Sequence, residues 1–138
     1  MIAFTVFGEP VAQGRPRFAR MGAGVRAYDP EKSRTYKEYV RAAALEVKPD
    51  VPLDGPLLLV VEAYKSIPKS MSKKKQVEAL AGSLQPTTKP DLDNIIKGLK
   101  DALKGIIWRD DSQVVNIVAG KWYSDRPRVE ITVKEATP

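Results

Sequence analysis

The run Pro56-Leu-Leu-Leu-Val-Val-Glu-Ala-Tyr64 constrains the fold of this chain more than any other segment. Side chains of a β-strand alternate between two faces, and here both sets stay apolar until Glu62. That is the pattern of a strand held in the middle of a sheet, so this run is the expected central strand. A first strand precedes it: Ile2, Phe4 and Val6 alternate with Ala3, Thr5 and Phe7 and stop at the turn-forming Gly8-Glu9-Pro10. Val114 to Tyr123 and Val129 to Val133 form two more strands, expected to pair as a hairpin around Ser124-Asp125-Arg126-Pro127.

Helical signals fill the intervals. Asp29 is a suitable N-cap with Pro30 at the first helical position, and Tyr36, Val40, Ala43 and Ala44 form an apolar stripe that must end before Pro49. Ser72 to Leu80 makes a short helix closed by Gly82. Asp91 to Leu103 makes a stronger one, with Leu92, Ile96, Leu99 and Leu103 on one stripe. Between the first strand and the first helix, Gln13 to Arg26 is too polar and too rich in glycine for a core element, and it is expected to be a basic loop. The expected fold is α+β, one domain over residues 1–138, with a small mixed β-sheet of about four to five strands packed with about two to three helices.

Composition restricts the chemistry. A chain of 138 residues with 23 Lys and Arg against 17 Asp and Glu carries a net charge of +6, which favours a polyanionic partner. It contains no Cys and no His. Thiol nucleophiles, thiolate zinc sites, Ser-His-Asp machinery and histidine bases are therefore excluded, leaving carboxylates, lysines and hard cations. No apolar stretch approaches the roughly 20 residues of a membrane span, and the first residues lack an export signal. The expected location is the cytoplasm, with no membrane partner and no nucleotide cofactor.

The informative block is Lys89-Pro90-Asp91-Leu92-Asp93-Asn94, followed by Lys97 and then by Asp110-Asp111. Two positions on a regular helix diverge by about 200°, so Asp91 and Asp93 converge only if Asp91 precedes the first turn. Pro90 and the capping preference of Asp favour a boundary there. The structural alternative is plain: Asp91 caps the helix, Asp93 pairs with Lys97 at i,i+4, and Asp110-Asp111-Ser112 makes a turn. The functional alternative is a Mg²⁺ site, since this ion takes oxygen ligands and needs only one or two protein carboxylates beside water and phosphate oxygens.

Taken together, these residues resemble the RusA-like Holliday-junction resolvases. The resemblance rests on the block from Lys89 to Asn94, on Lys97 with Asp101-Ala102-Leu103, and on Trp108-Arg109-Asp110-Asp111-Ser112-Gln113-Val114. Pro68-Lys69-Ser70, Ser72-Lys73-Lys74-Lys75, Gly8-Glu9-Pro10 and Gly14-Arg15-Pro16-Arg17 resemble a prophage and Gram-positive branch of that family. It implies a homodimer that binds four-way branched DNA and makes paired nicks with Mg²⁺. It also implies that Asp91, Asp93, Asp111 and Lys97 are essential for cleavage. Asp91, Asp93 and Asp111 would be the metal ligands together with Asp110, which falls at a usually acidic position.

Charge outside the block is arranged to match. From Gln13 to Arg41 there are eight basic residues against three acidic, and from Lys65 to Lys89 six against one. Arg15, Arg17, Arg20, Lys73, Lys74, Lys75 and Lys89 are the candidate DNA contacts, with a solvated lysine face as the alternative for the Lys73–Lys75 run. Trp108 and Trp122 either stack on unpaired bases or fill the core. Three other readings compete: a noncatalytic nucleic-acid binder, a structural protein whose Asp residues are caps and turns, and a nuclease for other branched DNA.

Overall fold

The computed structural model describes residues 1–22, 24–28 and 30–136. In chain order the elements are β1 (Ile2–Phe7), β2 (Arg17–Met21), β3 (Gly24–Tyr28), α1 (Glu31–Leu45), β4 (Leu57–Ser66), α2 (Lys73–Leu80), α3 (Leu92–Leu103), β5 (Val114–Ser124) and β6 (Arg128–Glu135). A single 3₁₀ turn, Asp111–Gln113, leads into β5. The α+β expectation holds: a mixed sheet in the order β1-β6-β4-β5, a separate β2-β3 ribbon, and three helices.

The apolar run takes an interior position as β4, parallel to β5 on one side and antiparallel to β6 on the other. Its two faces fare differently. Leu57, Leu59, Val61 and Ala63 are buried, with Val129, Ile131 and Val133 of β6 beside them, whereas Leu58, Val60, Glu62 and Tyr64 are only half-buried. α1 and α3 pack together over the buried face, giving Tyr36, Val40, Ala44, Ile95, Leu99, Ala102 and Leu103 to one core that also takes in Ile107 and Trp108. The opposite face is open to solvent over the first half of β5, where Val118 is 54% exposed.

Two expectations are corrected. β5 and β6 are not a hairpin, because β4 lies between them. The connection crosses the end of β4, a gap of two strand spacings or about 10 Å, which the four steps from Ser124 to Arg128 span easily. Arg128 fastens this crossing: its side chain lies 3.9 Å over the Tyr64 ring and donates to Ser124 Oγ at 3.1 Å and to Arg126 O at 3.0 Å. The basic loop is likewise structured from Arg17 onward as the β2-β3 ribbon, which turns at Gly22 with φ +60°. A two-stranded ribbon satisfies its backbone without burying a face, so it leaves no apolar pattern to read; Phe18 is 71% exposed.

Helix boundaries follow local chemistry. Asp29, the expected cap of the first helix, lies outside the described residues, and Pro30 occupies the N-cap with Glu31 as the first helical residue. α1 ends at Leu45, ahead of Pro49 as expected. Ser72 caps α2 by accepting from Lys75 N at 3.3 Å, and Gly82 turns the chain out with φ +84°. Among the described residues, no helix is long and apolar enough to cross a membrane.

The unequal faces of β4 and β5 make a direct prediction. Leu59→Ala, in the buried set, should lower the unfolding free energy by about 2–5 kcal/mol. Val118→Ala, on the open face, should change it by no more than about 0.5 kcal/mol. Urea denaturation followed by circular dichroism measures both.

Candidate active site

α3 begins where the acidic block places it. Asp91 is the N-cap residue with extended backbone (φ −69°, ψ 138°), and its carbonyl accepts from Ile95 N at 3.1 Å, but its side chain makes no cap hydrogen bond. The carboxylate is exposed. The segment ahead of it is held by two lysines from the sheet. Lys65 of β4 donates to Thr88 Oγ1 at 2.8 Å and Lys89 O at 2.6 Å, and Lys121 of β5 donates to Thr88 O at 2.7 Å and Pro90 O at 3.1 Å. On the other side, Gln13 N donates to Asn94 O at 3.0 Å, docking the 10–16 segment on the first turn of α3. Gly14 allows the same segment to pass Pro30, since a Cβ there would sit 2.8 Å from Pro30 Cγ.

Asp93 and Lys97 are both exposed on α3, one turn apart. Asp93 Oδ1 accepts from Asn94 N at 3.0 Å. The ion pair that would make them purely structural is not formed: among the described residues Lys97 has no salt-bridge partner. Asp101, the next acidic residue on that face, accepts instead from Lys37 of α1 at 2.7 Å.

The Asp110-Asp111 pair divides its work. Asp110 caps the 3₁₀ turn: Oδ2 accepts from the Ser112 hydroxyl and from Ser112 N at 3.2 Å, while Gln113 Oε1 accepts from Asp110 N at 2.9 Å. The Ser112 hydroxyl and amide, with Lys104 3.4 Å from Oδ1, hold the Asp110 carboxyl below its ordinary range. Asp111 is turned the other way. Trp108, fully buried, donates its indole N–H to Asp111 Oδ1 at 2.9 Å and so anchors that carboxylate on the core. Gln113 ties the turn to the connection between α1 and β4 by donating to Leu53 O at 2.8 Å.

These placements bring Asp93, Lys97 and Asp111 to the wall of one depression with Ile96, Lys100 and Ile117. At about 320 Å³ it has room for roughly ten waters at ~30 Å³ each, enough for a phosphate and a hydrated cation. A second depression adjoins it across Lys97 and Asp111, lined by Gln13, Gly14, Pro16, Lys37 and Asp101. Asp91 and Asp110 line neither. Among the described residues no three acidic side chains form a ready-made cation cage. The donor set nonetheless suits Mg²⁺, because Asp93 and Asp111 provide the one or two carboxylates that this ion takes from a protein, and Lys97 stands by for an anion. A larger concavity, about 450 Å³, lies elsewhere between the end of β1 and α1. Its wall is mainly apolar and aromatic, and two of its three charged residues are Glu9 and Glu31, a poor match for a polyanion.

The basic residues fall into separate groups. Arg15 and Arg17 line a depression that shares Gly14 and Pro16 with the one beside Lys97, so they flank the acidic site. Arg20 is exposed on the β2-β3 ribbon, and Lys89 is exposed two residues before Asp91. Lys73, Lys74 and Lys75 form the exposed first turn of α2, which packs against β5, and they line neither depression. Trp108 is fully buried and so is part of the core, and Trp122 is half-buried and donates to Glu62 Oε2. Four residues with a part in the site were not singled out for it from sequence: Lys65, Lys121, Lys37 and Gln113. A lysine or glutamine carries no local signal of a partner 23 or more residues away in the chain.

The RusA family, described as Endodeoxyribonuclease RusA, matches residues 8–134. The chain is 49% identical over 138 residues to YqaN of Bacillus subtilis strain 168, an uncharacterized protein, with 99% of this chain and 97% of that relative covered. Over 50 residues it is 40% identical to the crossover junction endodeoxyribonuclease rusA of Lactococcus phage r1t, covering 36% of this chain and 38% of the phage protein. The family match spans both acidic segments, the lysine between them and the basic N-terminal segment, and on that extent the chain belongs to the RusA endodeoxyribonuclease family.

Proposed function

We propose that this protein is a Mg²⁺-dependent endodeoxyribonuclease that resolves four-way DNA junctions, acting in recombination and repair as a homodimer that makes paired symmetric nicks. The observation that carries the reading is the convergence of Asp93, Asp111 and an ion-pair-free Lys97 on one depression, flanked by Arg15 and Arg17. A surface built only to hold phosphates gains nothing from carboxylates there, since they repel the backbone unless a cation intervenes. Two sites related by a dyad suit two symmetric cuts.

In this reading Asp93 and Asp111 hold the ion, with Asp91 as a further ligand, and Asp110 serves the turn. When bound, Mg²⁺ supplies Lewis acidity that offsets charge on a phosphodiester and lets water lose a proton near neutral pH. Trp108 keeps the Asp111 carboxylate from rotating away from the depression. Lys65 and Lys121 hold the backbone that presents Asp91. Lys97 offers a fixed ammonium to the phosphoryl oxygens as negative charge develops, a contribution that requires no reorganisation during the reaction. Arg15, Arg17, Arg20, Lys73, Lys74, Lys75 and Lys89 supply phosphate affinity, which must weaken with salt.

The deciding experiment is cleavage of an end-labelled four-way junction beside linear duplex of the same sequence, with Mg²⁺ and with EDTA. Paired, Mg²⁺-dependent nicks confined to the junction are expected. Preference for flaps or other branches would move the substrate within the nuclease class, and binding without cutting under any metal condition would favour a noncatalytic binder. Asp93→Asn and Asp111→Asn should retain fold and junction affinity while losing nicking; full activity in either would remove it from the ligand set. Trp108→Phe should raise the Mg²⁺ concentration needed for half-maximal nicking by roughly tenfold, as loss of an outer-shell hydrogen bond does elsewhere. Arg17→Ala should reduce the slope of log affinity against log salt by about one, measured by fluorescence anisotropy.

A further inference from the structure

Lys37 is the one lysine among the described residues that is buried, at 4% exposure, on the α1 face that packs against α3. Its ammonium reaches Asp101 Oδ2 at 2.7 Å, and the Asp101 side chain is 55% exposed. Burying an ammonium beside a half-exposed carboxylate is a weak source of stability, because the lost hydration offsets the attraction and an apolar side chain would pack there as well. A different return is visible in the position of Asp101. It stands four residues after Lys97 on α3, the spacing at which a lysine and an aspartate form an ion pair along a helix. That pair is absent, and Lys97 lines both depressions with its ammonium uncommitted.

We infer that Lys37 is a positioning residue: by occupying Asp101 it stops Asp101 from capturing Lys97, and so leaves the Lys97 ammonium available to the phosphate. The inference rests on the nuclease reading given above. The two lysines differ in the property the device needs. Lys37 is buried on the face of α1 that packs against α3, whereas Lys97 is exposed and can turn toward whichever anion is open to it. Remove the buried ammonium, and Asp101 loses its ion pair and stands as a solvated carboxylate one helical turn from Lys97 and in the same wall as Asp111, open to pairing with Lys97.

The test compares wild type, Lys37→Met and the double variant Lys37→Met/Asp101→Asn in single-turnover nicking of a saturating four-way junction with Mg²⁺, at a temperature where circular dichroism shows all three folded. Lys37→Met should slow nicking by roughly two- to tenfold, the range between an exposed helix pair and a charge-assisted hydrogen bond, with junction affinity unchanged within about twofold. The double variant should return the rate to within about twofold of wild type. A purely structural lysine, or one that touches DNA itself, predicts no such rescue. A Lys37→Met rate equal to wild type, or a double variant no faster than the single, would overturn the inference. If Lys37→Met does not fold, the double variant against wild type decides: a rate within about twofold supports the device, and a loss of tenfold or more rejects it. A wild-type protein that nicks no junction would instead sink the function proposed above.

Discussion

The parallel pairing of β4 with β5 is the constraint on which the candidate site depends. Two parallel neighbours cannot be joined by a tight turn, so the chain must leave the sheet after Ser66 and return at Val114 by a long crossover. That crossover contains α3, whose apolar stripe settles on the buried face of the sheet and whose polar side then overlooks the start of β5. Asp93 and Lys97 arrive on the helix and Asp111 arrives on the turn that opens the strand. Their meeting is a by-product of packing a helix over the strand pair that it connects.

Charge is organised around this geometry by giving most nearby lysines a fixed partner. Lys65 and Lys121 are spent on carbonyl and hydroxyl oxygens of the 88–90 segment, Lys37 on Asp101, and Lys104 lies 3.4 Å from Asp110. Among the described residues, Lys97 and Lys100 in the wall of the first depression are left without an ion pair. A cation that serves a transient charge has to be close and also uncommitted, and the surrounding pairs maintain that condition by satisfying the carboxylates that would compete for it. The same logic separates the adjacent aspartates: Asp110 is consumed by its cap, and Asp111 is oriented by a buried indole.

Much of the fold was legible because it is written in local chemistry. β1 and the interior place of β4 follow from apolar alternation, and the positions of the three helices follow from glycines and apolar stripes, although the core face of α3 is Ile95, Leu99, Ala102 and Leu103, with Leu92 and Ile96 of the expected stripe only half-buried. The hairpin expected between β5 and β6 failed because a four-step connection can either turn back or step across one strand, and only the pairing preference of β4 decides between them. The β2-β3 ribbon was invisible for the opposite reason, since it buries no face and its order resides in backbone hydrogen bonds.

Residue types and spacing by themselves determined the chemistry open to this protein: no thiol or imidazole, two acidic segments, a lysine one turn beyond the first, and a basic flank. Those properties travel with each side chain wherever it is placed. Which carboxylates share a depression, which is consumed by a turn, and which lysines of that depression remain without an ion pair were decided only by tertiary structure. Each depends on contacts between residues far apart in the chain, as Lys37 and Asp101 are, and an ion pair forms or fails on distances of a few ångströms that no local pattern encodes.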